Sequence, residues 1–535
     1  MDEKLIHILD GFYNRIENLS TKANLKYFEA SISGLEKDYN ESAELQLEIS
    51  KIYADKDLFK QLKEIKDSNT ITDTVRKREL ELLYNDLAGN QFDEKLHKEI
   101  IDISTKIEKE FSTFRADYKG KKITDNEIDD ILDTSTDSEE LKNVWEESKR
   151  IGKIVSTDVI NLVKLRNKGA RELGFKNYHE MSLLLSEQNT ETLDEVFDEL
   201  DALINESFRE LKDEIDTYLS KKHGIKKNEL MPWHYEDKYF QQGPKIYNLD
   251  IDEYFIGKDL VQITKDYFNG INLNIDDLIE NSDLYEKEGK YQHAYCSDID
   301  RTGDIRVVCN VKENQRWMGT MLHEFGHAVY DKNVSANLPW QLRRYGHIFT
   351  TEAIAMLFGR LAHNPKWLQQ MVGISEKEML KISEDSFNSL RSEQLIFSRW
   401  VQVLYRFEKE MYGNPDQDLN AVWWKLVEKY QLLKKPDGRD EPDWASKIHI
   451  ALYPAYYHNY MLGEILASQL NSYVTTKVLK VENSNNESFV GKTIIGDYLK
   501  HLFFSYGALY PWNELILKAT GEELTPRYYA EQFVK

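Results

Sequence analysis

The segment HEFGH at residues 323–327 sets two histidines and a glutamate at a spacing suited to metal chemistry. On a helix, residues i and i+4 share one face, so His323 and His327 can aim two imidazole nitrogens at one zinc ion while Glu324 stands beside them as a base. With 13 His in 535 residues, composition alone would give no more than about 0.05 such matches. A catalytic zinc keeps three protein ligands and one open position for water. Glu352, at the start of the apolar run TTEAIAM and 25 residues after His327, is the candidate third ligand, returned to the metal by a turn and an antiparallel helix. Zinc held this way polarises a carbonyl and acidifies its water toward a pKa of about 7, so that a carboxylate can take the proton as water attacks a peptide carbon. The oxyanion and the leaving amine then need donors from elsewhere in the chain. Imidazole and carboxylate also accept cobalt or manganese, so zinc is inferred from ligand type.

The elements that must position these groups read as helical. All ten prolines lie at or beyond Pro232, and a proline inside a helix costs about 3 kcal/mol. Before that point apolar residues recur at helical spacing, as in Leu193, Val196, Phe197, Leu200, Leu203, Ile204, Phe208, Leu211, Ile215 and Leu219. Thr192 with Glu195 suggests a capping box at the start of this helix, and Gly224 punctuates its end. The charges between the apolar positions read as a solvated face. From about Tyr291 to Lys312 two β-prone runs flank the turn sequence Asp-Arg-Thr-Gly-Asp, which predicts a hairpin. Helical periodicity then resumes through WMGTMLHEFGHAVY and TTEAIAMLFGRLAH to the C-terminus, where Thr525-Pro526 reads as an N-cap and first-turn pair. Residues around 481–489 are polar and read as a loop. No internal repeat, low-complexity tract or clear linker divides the chain, so a single domain over residues 1–535 is expected.

Composition excludes several classes. Lys plus Arg at 70 against Asp plus Glu at 93 gives a net charge of −23, which repels phosphate backbones and anionic membranes. No nucleic-acid or membrane partner is expected. No run of 18 apolar residues occurs and the N-terminus lacks a basic region followed by an apolar stretch, so the expected location is cytoplasmic. Cys296 and Cys309 are the only cysteines, too few for a disulfide framework, and any metal must be held by His and carboxylates.

The chain resembles the M2 peptidases, the group of angiotensin-converting enzyme and its bacterial relatives, which are zinc peptidyl dipeptidases. The resemblance lies in LGFKNYHEMSLL (residues 173–184), HAYCSDIDRTGDIRV (293–307), LHEFGHAVY, LPWQLRR (338–344), TEAIA, PWNELILKATG and PRYYAEQF. It implies a mainly α, two-lobed helical gluzincin fold with a deep central cleft, a small antiparallel hairpin beside the zinc site, and N-terminal helices, roughly residues 1–110, acting as a lid. It places the zinc ligands on His323, His327 and Glu352 and the base on Glu324. His293 and Ala294, 30 residues ahead of the first ligand pair, would bind substrate through a hairpin edge and an imidazole. Lys447 would grip the substrate's C-terminal carboxylate and His449 a substrate carbonyl. With one residue inserted after His449, Tyr457 would join Lys447 and Tyr460 would stabilise the oxyanion; Tyr453 and Tyr456 are rivals for these roles. A carboxylate-binding glutamine falls on Gln242, with Gln241 as its rival.

Departures from the family pattern carry their own expectations. Met356 stands where relatives carry an Asp four residues after the third ligand, so another acceptor must orient the imidazoles and zinc affinity is expected to be lower. Asn459 and Val427 stand where vertebrate relatives carry chloride-holding arginines, so chloride activation is not expected. Cys296 and Cys309 do not reproduce the family disulfide, and free thiols suit a reducing cytosol. The resulting reading is a zinc peptidase releasing C-terminal dipeptides from short peptides. The alternatives are an endo-acting oligopeptidase of the M3 type, which would ignore the free carboxylate, and a non-catalytic zinc-containing peptide-binding protein.

Overall fold

The structure, a computed structural model, describes residues 2–247, 249–481 and 487–534. Helices carry nearly all of it; the described residues contain two β-sheets, each of two antiparallel strands. The mainly α class and the hairpin expected from the sequence are both present.

The helix Thr190–His223 illustrates how the apolar spacing becomes structure. Leu193, Val196, Phe197, Leu200, Ile204, Phe208, Leu211, Ile215 and Leu219 are buried along one stripe. Leu203 falls off that stripe and is 37% exposed. The cap differs from the expectation: Asn189 is the N-cap and its Oδ1 accepts from Thr192 N at 2.8 Å, so the helix begins two residues before Thr192. Asn reaches the amide three residues ahead as readily as Thr does. At the far end Gly224 takes φ +67° and closes the helix.

The expected hairpin pairs Tyr295–Asp298 with Ile305–Val308, in the register Tyr295↔Val308 and Asp298↔Ile305. A second hairpin, Ala116–Tyr118 with Lys121–Ile123, was not anticipated from the sequence. Its turn residues Lys119 and Gly120 have φ +51° and +77°, the twist that two-residue hairpin loops require.

The two largest apolar clusters among the described residues organise the helices. Leu5, Leu9, Phe12 and Ile16 pack with Leu58, Leu62, Ile65, Leu80, Leu83 and Leu87 in a core that also takes in Trp340. The helix Glu94–Thr113 belongs instead to the main core, through Ile107. Cys296 and Cys309 are free thiols. Of the polar stretch at residues 481–489, residues 482–486 lie outside the described residues; beyond them Glu487 and Phe489 are buried. The last helix runs Arg527–Phe533, and Thr525 Oγ1 accepts from Arg527 N at 3.2 Å. No helix among the described residues is long and apolar enough to cross a membrane.

Candidate active site

HEFGH lies in the helix Gln315–Lys332, capped by Asn314, whose Oδ1 accepts from Trp317 N at 2.9 Å. Glu352 lies in the helix Ile348–Gly359, which follows the N-cap His347. Small residues let these helices and the helix His458–Tyr473 close on one another. A Cβ at Gly326 would stand 2.8 Å from Ala355 Cα, and one at Gly463 would stand 3.1 Å from Glu352 Cβ and Met356 Sδ. Glu352 is thereby clamped between neighbours.

His323 Nε2 and His327 Nε2 are 3.2 Å apart, and Glu352 Oε2 lies 3.6 Å from the first and 3.9 Å from the second. Zinc bonds of about 2.0–2.2 Å in a tetrahedral arrangement put ligand atoms roughly 3.3–3.6 Å apart. Two imidazoles and a carboxylate at these separations fit a zinc ion. Burial lowers the His323 pKa to about 4 and holds His327 well below its usual value, with His323 adding to the effect, so both rings are neutral and can offer a lone pair. Burial raises Glu352 to about 7, helped by Glu464, and raises Glu324 to about 8, helped by Glu352. These two carboxyls are kept in a site that favours a counter-cation.

His327 Nδ1 lies 2.7 Å from Thr351 Oγ1. The hydroxyl beside Glu352 is thus placed to orient the imidazole. Sequence reasoning required such a group without finding it; its adjacency to Glu352 was the available signal. Glu464 accepts from Gln394 Nε2 at 3.0 Å and is paired with Arg360, whose Nη1 also reaches Ser468 Oγ at 3.0 Å. No sequence signal marked this network.

Lys447 and its neighbours form a second cluster. Lys447 Nζ donates to Gln241 Oε1 at 2.7 Å and lies 5.2 Å from the Tyr239 ring centre, 5.5 Å from that of Trp400 and 5.6 Å from that of Tyr457. Gln241, rather than Gln242, therefore holds the ammonium, although both line the same cavity of about 980 Å³ with Lys447 and His449. Burial lowers Lys447 to about 8, against the opposing field of Asp237. Tyr457 Oη accepts from Trp400 Nε1 at 3.1 Å, leaving its own proton available. The His449 ring stands 5.1 Å from Tyr457 and 5.6 Å from Tyr453, and its Nδ1 is buried without a partner. Burial, then Lys447, lowers its pKa to about 4.

Tyr457 caps the helix His458–Tyr473 and Tyr460 sits one turn on, their rings 5.3 Å apart. Burial raises the Tyr460 pKa, and the charge of Glu352 raises it further. Tyr456 is raised in the same way and hydrogen-bonds to Tyr460, their rings 5.5 Å apart. Tyr453 is exposed. His293 is exposed with its ring 5.3 Å from Tyr291, and Ala294 leads into the first strand of the hairpin, whose outer edge no third strand covers among the described residues. That hairpin packs on the HEFGH helix.

The family described as peptidase M2, angiotensin-converting enzyme, matches residues 4–527. The chain belongs to the M2 peptidase family. Among its relatives, angiotensin-converting enzyme from Haematobia irritans exigua is 24% identical, over 82% of this chain and 78% of its own. The oligopeptidase PepF from Bacillus subtilis is 24% identical over 69% of this chain, and carboxypeptidase 1 from the same organism 23% identical over 44%; these two are covered to 51% and 50% of their lengths. M2 membership makes this chain a peptidase with peptides as its substrate class, in a family that depends on zinc in general, and the three candidate ligands supply a site for such an ion.

Proposed function

We propose that this M2 peptidase is a zinc-dependent peptidyl dipeptidase acting on short peptides in the cytoplasm. The observation that carries the reading is the convergence of His323, His327 and Glu352 within 4.8 Å of one another, with buried Glu324 alongside. These three residues would hold the ion, which when bound supplies a Lewis acid and lowers the pKa of water toward about 7. Glu324 takes a proton from the attacking water and delivers it to the leaving amine. The Tyr460 hydroxyl donates to the developing oxyanion, with Tyr456 behind it as hydrogen-bond partner. His449 donates to a substrate carbonyl, while His293 and Ala294 align the peptide along the uncovered strand edge.

Lys447 sets the cleavage distance. Its ammonium, with the Tyr457 hydroxyl and the Gln241 carboxamide, binds the substrate's terminal carboxylate, and Gln242 lines the same chamber. A carboxylate held at a fixed distance from Glu324 defines a dipeptide product without side-chain pockets.

The chloride positions are filled by neutral bonds. Asn459 Oδ1 accepts from Gln188 Nε2 at 2.9 Å, Asn459 Nδ2 donates to Tyr456 O at 3.0 Å, and His458 Nε2 lies 2.8 Å from Gln188 Oε1. Val427 is buried and uncharged. Neither position presents a cation to an anion, which supports turnover independent of chloride.

The cavity of about 980 Å³ around Lys447 also favours a second reading, endo-cleavage, because it leaves room beyond the ammonium. A ten-residue peptide, its C-terminally amidated twin and a chelator control separate the readings by mass spectrometry. Stepwise loss of two residues from the free acid alone supports the dipeptidase. Chelator-sensitive internal cuts in both peptides support the oligopeptidase, and intact peptide on metal-loaded protein supports a binding protein.

A further inference from the structure

Among the described residues Lys447 forms no ion pair; its Nζ donates to Gln241 Oε1 at 2.7 Å. Asp237, which lines the same cavity, forms none either, because the neighbouring Lys238 sends its ammonium to Asp125 at 2.7 Å and to Asp129 at 3.0 Å. The Gln241 carboxamide stands between these two charges, with Nε2 3.5 Å from Asp237 Oδ2. Asp237 Oδ1 accepts from Tyr239 N at 2.7 Å and from Gln241 N at 3.0 Å. The carboxylate thus fixes the backbone of the residue whose side chain meets the lysine. The turn needs such a hold, since Glu236 and Phe240 carry φ +61° and +50°. Its carbonyls are held from other elements as well. Lys149 Nζ and Trp145 Nε1 donate to Lys238 O at 2.7 and 3.1 Å, and Gln431 Nε2 donates to Tyr239 O and Phe240 O, both at 2.9 Å.

We propose that Asp237 is a positioning residue acting through Gln241: it holds the carboxamide with its carbonyl on Lys447 and supplies a countercharge to the ammonium without covering it. The proposal rests on the peptidyl dipeptidase reading, which gives Lys447 the substrate's terminal carboxylate. A carboxylate bonded directly to Lys447 would have to be displaced before the substrate could bind, and a buried ammonium with no countercharge is costly. The amide spacer avoids both. Burial lowers Lys447 to about 8; Asp237 is the strongest of the charges opposing that fall, Asp125 and Asp129 act in the same sense, and Lys238 acts against them. The other titratable groups around the lysine carry no negative charge at neutral pH. Burial raises the Tyr457 phenol to about 12 and raises that of Tyr239 as well. His449 is lowered to about 4 by burial and by Lys447, and Lys149 stands 3.4 Å from the Tyr239 ring centre.

Two measurements test this: KM for a free-acid peptide and for its amide across the pH range, and the titration of Lys447 itself by competitive acetylation read by mass spectrometry. Asp237→Asn keeps the acceptor oxygen and removes the charge. Lys447 is then expected to titrate near about pH 7 instead of about 8. The ammonium is lost at lower pH, so KM for the free acid should rise about fivefold at pH 8, with kcat and the amide's KM level. Gln241→Glu sets a carboxylate directly on the lysine. Lys447 should then titrate higher, yet KM for the free acid should rise at every pH because the ammonium is already paired. An unchanged Lys447 titration in Asp237→Asn, or equal changes in KM for acid and amide, overturns the proposal. So does a Gln241→Glu protein that binds the free acid as well as wild type, a result that stands even if Asp237→Asn does not fold. If the wild-type protein treats acid and amide alike, the dipeptidase reading fails by itself, and the acetylation titration still decides whether Asp237 holds the ammonium.

Discussion

Thr351 Oγ1 lies 2.7 Å from His327 Nδ1, one residue before the carboxylate that faces the Nε2 of the same ring. A hydroxyl is thus placed to orient the ring, and Met356, four residues after Glu352, packs toward Gly463. Replacing Thr351 by Val keeps the shape and removes the acceptor. Zinc affinity is expected to fall about 10- to 100-fold and to recover in Thr351→Ser. Competition against a chromophoric chelator measures it, and an unchanged dissociation constant in the Val variant would show that the hydroxyl does not matter to the ring.

Glu324→Gln keeps size and hydrogen bonding while removing the base. Hydrolysis should fall by about 10²–10⁴-fold with one zinc still bound, as read by elemental analysis beside a product assay. Retained turnover would move the proton transfer to another group.

Lys447 titrates at about 8 because it is buried. The ammonium is present below that value and is lost as pH rises through it, so KM for a free-acid peptide should rise above pH 8 while KM for the amidated peptide stays level. Lys447→Met should cost the free acid about 10- to 100-fold in kcat/KM at pH 7, the worth of a charge-assisted bond. Equal losses for acid and amide would place the lysine away from the carboxylate.

Gly326 allows the HEFGH helix to touch the Glu352 helix, and a Cβ there would meet backbone at 2.8 Å. Gly326→Ala should destabilise the protein by about 1–3 kcal/mol and lower zinc occupancy, because the ligands sit on the two helices being forced apart. Thermal unfolding with and without added zinc reports both effects. A variant with wild-type melting and full metal would show that the contact can relax.

Chloride titration at constant ionic strength should leave turnover unchanged, since Asn459 is satisfied by Gln188 and Tyr456. A several-fold rise would reveal an anion site not built from these positions.

Helical spacing alone determined that His323 and His327 share a face, because i and i+4 are neighbours on any helix. The same spacing determined the buried stripe of Thr190–His223, and alternation around a turn signal determined the hairpin at Tyr295–Val308. These are local consequences of backbone period. Which of Gln241 and Gln242 meets Lys447 was open, since neighbouring side chains in an irregular segment point wherever the dihedrals send them. Positive φ at Glu236 and Phe240 makes that turn. Tyr460 and Tyr456 were likewise inseparable by spacing, and the structure sets their rings edge to face 5.5 Å apart. Thr351 on His327, Trp400 on Tyr457 and Arg360 on Glu464 are contacts between residues 24 to 104 positions apart. Only packing of the helices decides them, because side chains that far apart in sequence meet according to crossing geometry and close approach at residues such as Gly326 and Gly463, which no periodicity records.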